Sequence, residues 1–269
     1  MIDHVADDPG LPFGAAVRAE FTRIRTHPGD TVAVVALNGV MMTVIWFLLP
    51  RSWFFTFTGP SGYALALAGW MYSDVTASNI LAADPDRVLE LIGDPASLRT
   101  VLRAKEAVLW MLVAPLCMVV AIACGVAEQD WQYTALVVIA VAVVPIGALA
   151  VTGLVGVFFP YHQQPLLWRW RQRRRFGPVV LRWSILTIAP YLVYPAVACA
   201  IMAVPSALWW LVDGIDRTQR LPTAASAVCL VVTAALSALC WVWANRYAIA
   251  WIERHSVALR EYLSDRERG

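Results

Sequence analysis

The sequence predicts an all-α, polytopic membrane protein: six transmembrane helices, a short interfacial helix ahead of them, and both termini in the cytoplasm. Three observations carry this prediction. Hydrophobic residues make up 59% of the 269 residues and charged residues only 15%, where a soluble domain carries about 25% charged residues. Six apolar runs reach the roughly 20 residues that a helix needs to cross a bilayer. The basic residues, finally, crowd into alternate connections. The mean hydropathy of +0.62 excludes a disordered chain. No stretch is left for a soluble domain, so 1–269 reads as one transmembrane domain.

Taking the elements in order, residues 11–30 place Phe13, Val17, Phe21 and Ile24 at three- and four-residue spacing. Arg18, Arg23 and Arg25 mostly avoid that stripe. This pattern predicts an amphipathic helix lying in the cytoplasmic interface. His27-Pro28-Gly29-Asp30 ends it and starts the first span, 31–50, with Asp30 as the expected N-cap. No cleaved signal peptide is expected, because a polar, arginine-bearing segment precedes the first apolar run.

The second span, 61–82, is the least apolar and holds Tyr72, Ser73, Asp74, Thr76, Ser78 and Asn79. In the connection 83–106, Asp84-Pro85 opens a short helix through Ile92, Gly93-Asp94-Pro95 breaks it, and Ser97 begins a helix entering the third span, 107–127. Leu89, Leu91 and Ile92 are then available to dock onto a soluble partner. The fourth span is 133–159. In the loop 160–178, Arg169, Arg171, Arg173, Arg174 and Arg175 alternate with Trp168 and Trp170. Such a segment binds anionic lipid headgroups at about 1 kcal/mol per arginine, and nothing else points to nucleic acid. The fifth span, 179–212, is too long for one straight crossing and contains Pro190, Pro195 and Pro205. It predicts a tilted or broken helix with a re-entrant or interfacial piece after Pro205. The sixth, 223–250, continues into 250–269 as a solvated helix that frays.

Orientation follows from 20 Arg and one Lys, Lys105. Eighteen of these cations fall in the N-terminal segment, the second-to-third and fourth-to-fifth connections and the tail, against Arg51, Arg217 and Arg220 on the other side. The positive-inside rule then puts both termini in the cytoplasm. Trp46, Trp53, Phe54, Phe55, Trp131, Trp209 and Trp210 fall at the expected outer edges, and Trp168, Trp170, Trp183, Trp243 and Trp251 at the inner ones, as interfacial anchors.

Asn38, Asp74, Asn79, Arg182, Asn245 and Arg246 are the polar groups in or near spans. An ionisable group there is a functional-site hypothesis by default. Asp74 either lines a polar path or pairs with a cation such as Arg246 or Arg182. The five cysteines lie in apolar runs without metal-ligand spacing, and the four histidines are scattered. No metal site, phosphate loop or hydrolase motif is present. The chain is therefore not expected to be an enzyme by itself or to carry a cofactor.

Asn79, Asp86-Arg87, Leu91, Asp94-Pro95, Leu102 and Ala104-Lys105 together resemble the second-to-third-span region of ABC-2-type transporter permeases. The run from Gly153 to Tyr161, with Pro160 and the following Pro165, looks like the end of their fourth span, although Gly156 stands where a serine is common. The 11–30 helix resembles their elbow helix. The resemblance implies the membrane half of an exporter in the bacterial plasma membrane. It would partner with ABC ATPase subunits that carry ATP and Mg, with a second permease copy or homologue, and with lipids. Asp86, Arg87, Leu89, Glu90, Leu91 and Ile92 would form the coupling helix against the ATPase. Asn38, Tyr72, Asp74 and Asn79 would be pathway candidates for a hydrophobic or amphipathic substrate. A non-transporting membrane scaffold and a secondary carrier are the alternatives.

Overall fold

A computed structural model of the chain describes residues 11–49, 59–162, 177–213 and 223–265. The basic loop with Arg169, Arg171 and Arg173 to Arg175 lies outside the described residues, as do Trp53, Phe54 and Phe55. The described residues are helical, with no strand among them. The helices are α1 (Phe13–Thr26), α2 (Pro28–Leu48), α3 (Pro60–Tyr72), α4 (Val75–Ser78), α5 (Pro85–Leu91), α6 (Pro95–Glu128), α7 (Trp131–Phe158), α8 (Gly177–Asp213), α9 (Thr223–Arg254) and α10 (Ser256–Ser264).

Five of them, α2, α6, α7, α8 and α9, are long and apolar enough to cross a membrane, so this is a multi-pass membrane protein. The most buried is α7, which packs against α3, α4, α6, α8 and α9. Its surroundings match its sequence, which is apolar all round. The outer helices keep broad apolar faces: Leu37, Val40 and Phe47 on α2, Ile188 and Leu192 on α8, Val231 and Leu239 on α9 are more than half exposed. Only a hydrocarbon solvent accommodates so much exposed apolar surface.

The second predicted span is not one helix. It runs 13 residues as α3, breaks at Ser73-Asp74, and resumes as the single turn α4. At 1.5 Å per residue α3 rises about 20 Å, short of a 30 Å hydrocarbon core. The polar run that made this segment the least apolar is where it breaks. The fifth segment errs the other way. Despite Pro190, Pro195 and Pro205, α8 is a continuous 37-residue helix that runs on through Pro205 to Asp213. The helix expected to begin near Ser97 and run into the third span does so, starting at Pro95, where Asp94 caps it by accepting from Ala96 N at 3.1 Å and Ser97 N at 3.2 Å.

Three smaller expectations also change. α2 begins at Pro28 behind His27, so Asp30 sits inside the helix and is not its cap. Trp46 is 2% exposed and packs on Tyr63 in the core, so it is no interfacial anchor. The tail does not simply run on: the helix stops at Arg254, and α10 packs on α5.

Close helix contacts rest on glycine at specific points. A Cβ on Gly156 would run into the Ser78 carbonyl of α4. One on Gly147 would strike Ser237 of α9, whose hydroxyl accepts from Gly147 N at 2.9 Å and donates to the Val143 carbonyl at 2.7 Å. Small residues that let backbones approach are how helices associate where no hydrophobic force operates between them. At the other end of the bundle the Glu128 carboxylate accepts from the backbone N–H and the hydroxyl of Ser61, closing the start of α3.

Candidate functional site: a broken helix between two buried polar groups

The break at Ser73-Asp74 orients Asp74 toward α2. Its carboxylate accepts from Asn38 Nδ2 at 2.7 Å. Asn38 Oδ1 accepts in turn from the Tyr191 hydroxyl of α8 at 2.9 Å. Asn38 is 4% and Asp74 6% exposed. One amide therefore joins three membrane segments, using both of its ends. Tyr191 packs edge-on against Trp70 of α3.

Of the four pathway candidates, the structure brings Asn38 and Asp74 together. Tyr72 lies instead in the apolar core, fully buried and stacked on Tyr194 beside Cys117. Asn79 turns toward α7's end, where its amide donates to the Tyr161 carbonyl at 2.9 Å. The alternative partners of Asp74 fare differently. Arg246 is an exposed residue of α9, while the side chain of Arg182 lies outside the described residues. In α1, Arg23 forms an ion pair with Glu20.

A second polar group lies just past the break, at the end of the bundle where α1 packs on α6. Here a cavity of about 30 Å³ is lined by Glu20, Arg23, Thr31, Asn79, Lys105 and Glu106. That is room for about one water molecule. Lys105 is 8% exposed, and its ammonium donates to the Ile80 carbonyl at 2.7 Å. Glu106, one position on, projects about 100° further round the helix. It accepts from Trp241 Nε1 at 2.8 Å and Asn245 Nδ2 at 3.2 Å on α9. Two acids and two bases thus surround one small space, and burial of charge is tolerable only with such compensation.

α1 meets this group through Ala16, Glu20 and Ile24, its buried residues. The apolar stripe anticipated for it is rotated away: Phe13 is half exposed, and of that stripe only Ile24 is buried. Glu20 was not among the sequence candidates. The available signal was that it is the lone acid in an otherwise basic helix. Tyr191 and Glu106 were missed too, the first because a single tyrosine in an apolar run carries no pattern.

Four of the motif residues lie together here. Asn79, Lys105, Gly156 and Tyr161 meet around the 78–80 backbone, through the two hydrogen bonds just given and the close pass of Gly156. From this break the chain runs to α5 at the surface. There Val88 and Ile92 are buried against Leu259, Tyr262 and Leu263 of α10, with Leu89 and Leu91 half-buried at the edge. The apolar side of α5 is therefore covered from within the chain, and its leucines are not the free docking surface anticipated. Asp86 and Glu90 are the exposed residues of that helix, and Arg87 is half-buried. His162 stacks on Tyr262 and hydrogen-bonds its carbonyl at 3.0 Å, fixing α10 to the end of α7.

Among the described residues no group of three His, Cys, Asp or Glu side chains is placed to hold a metal ion. No family model, curated protein or solved structure matches the chain.

Proposed function

We propose that the chain is the membrane-spanning permease subunit of an ATP-driven exporter, working on a hydrophobic or amphipathic substrate, with energy supplied by separate ATPase subunits. In this reading α3 and α4 together make a sixth, interrupted crossing in the plasma membrane, with α1, α5, α10 and both termini on the cytoplasmic side. A second permease copy or homologue completes the pathway. One observation carries the reading: α5, at the surface, is joined through the hinge 73–82 to the Asn38–Asp74–Tyr191 group. A push on α5 passes along a short chain segment, pinned by Lys105 and Asn79, to a hydrogen-bonded group shared by α2 and α8. Two discrete arrangements of such a group would give the inward and outward states that alternating access needs.

The test is purification of the intact assembly in mild detergent. A phosphate-loop ATPase is expected to co-purify and to be lost from the double variant Asp86→Arg/Glu90→Arg, at two exposed positions of α5. An assembly containing no ATPase overturns the reading. The carrier alternative is favoured by one observation, the buried carboxylate of Asp74 on an amide. It predicts proton-gradient-driven uptake without ATP, abolished by Asp74→Asn.

A further inference from the structure

We propose a phosphate-binding site for a phospholipid headgroup between α6 and α9, formed by Arg99, Arg103 and Arg246. It stands apart from the transport reading. Arg99 and Arg103 lie one turn apart on α6 and so share a face. Arg246 comes from α9, next to Asn245, which bonds the Trp241 carbonyl and the Glu106 carboxylate beside the Arg103 guanidinium, and its charge, like that of Arg99, acts on Arg103. Three guanidiniums therefore converge where two apolar helices emerge from their hydrophobic stretch, and none forms an ion pair among the described residues. The Nε atoms of Arg99 and Arg103 are shielded from solvent and have no hydrogen-bond partner.

The surroundings are built. The Arg103 guanidinium lies over the Trp241 ring at 4.5 Å. The Trp241 indole is held by Glu106, and Asn245, next to Arg246, donates to the same carboxylate. The charge of Glu106 acts on Arg103, and its oxygen Oε2 already accepts from those two donors. It offsets one positive charge of three and leaves a net positive pocket with an aromatic wall. Clustered like charges are unfavourable until an anion enters. The planar forks of arginine match phosphate oxygens in pairs. Basic pockets between helices at a membrane surface suit anionic headgroups.

The experiment uses the full chain in nanodiscs. Thermal stability and lipid retention by native mass spectrometry are compared in phosphatidylglycerol, in phosphatidylcholine, and in phosphatidylcholine with added inorganic phosphate. Retention of phosphatidylglycerol is expected to weaken about fivefold for each of Arg103→Gln and Arg246→Gln. Arg246 is exposed, so its variant keeps the fold, and Arg103→Lys should restore part of the loss. Protection by inorganic phosphate alone, lost in the same variants, would assign the same phosphate chemistry to a soluble source. Equal weakening by the control pair Arg254→Gln and Arg260→Gln would show mere surface charge and overturn the site. So would unchanged retention in Arg246→Gln.

Discussion

Replacing Asn38 by leucine, nearly the same size, removes two hydrogen bonds at once. One runs to Asp74 at 2.7 Å and one comes from Tyr191 at 2.9 Å. A bond to a charged acceptor contributes about 1.5–3 kcal/mol and a neutral one about 0.5–1.5 kcal/mol, so the upper figure is about 4.5 kcal/mol. Hydrogen bonds between membrane helices measure less, about 0.6 kcal/mol on average, because helices separated in lipid find other partners. Two such bonds set a floor of about 1 kcal/mol. Asp74 decides between them: a nearly buried carboxylate that loses a donor keeps its full desolvation cost. The expected loss is therefore about 2–3 kcal/mol. Reversible unfolding in mixed micelles measures it for Asn38→Leu, Asp74→Asn and the double variant. The two changes should couple by at least about 1 kcal/mol, while Tyr191→Phe alone costs about 1 kcal/mol or less. Coupling inside the additivity scatter of about 0.3–0.5 kcal/mol would refute the claim that this amide joins the helices.

Three further outcomes are expected. Gly156→Ala should cost about 1–3 kcal/mol in the same unfolding assay, because its Cβ meets the Ser78 backbone, whereas Gly14→Ala meets nothing within 4 Å and should be neutral or stabilising; equal effects would count against the α4–α7 contact. Asp94 should support acid stability. The Ser97 hydroxyl, then the backbone N–H of Ser97, hold its carboxyl below the usual carboxylate range. Its contribution is then present above the unfolded value of about 4 and lost as pH falls through the lower folded value, so Asp94→Asn should flatten the acid limb of a melting-temperature profile. Leu263→Ala, at a side chain 1% exposed, should raise hydrogen exchange in α5 and α10 and leave α7 unchanged. Exchange in α5 that does not respond would mean α10 is not its cover.

Length and hydropathy made four of the long helices legible nearly to their ends, because a helix in lipid must be apolar over a fixed distance. The first of them needed only its start moved to Pro28. The prolines of α8 do not break it: neighbouring groups can satisfy the backbone carbonyls a proline frees, and nothing in the sequence of one helix reports its neighbours. The polar tract 72–79 was visible, but hydropathy averages could not tell a polar lining from a backbone break. Asn38 and Asp74 could be singled out, since each is costly where it stands. Their pairing could not, nor could Tyr191, because a contact across 153 residues leaves no periodic trace. The covering of α5 by α10 was hidden by composition, for Leu259, Tyr262 and Leu263 are diluted among charges that read as solvated.

A break inside a membrane segment leaves backbone groups that water cannot satisfy, at several kcal/mol each. Here the chain meets them one by one. Ser73 N donates to the Trp70 carbonyl at 3.2 Å, and the Ser73 hydroxyl to Gly69 at 2.6 Å. The Asp74 carbonyl takes both Ala77 N and Ser78 N. The Ile80 carbonyl takes Lys105, and Asn79 reaches the Tyr161 carbonyl. A straight helix through 61–82 would need none of this, and would not require an ammonium group in the interior. The break achieves two things a straight helix cannot: it turns a carboxylate onto α2, and it seats α4 against the bare backbone at Gly156 of α7. α7 is the most buried of the five long helices, and α2 and α8 lie outside it, so the stretch from Ser73 to Ala82 links the centre of the bundle to its outer helices. That segment is held by side-chain hydrogen bonds and not by an uninterrupted helical ladder.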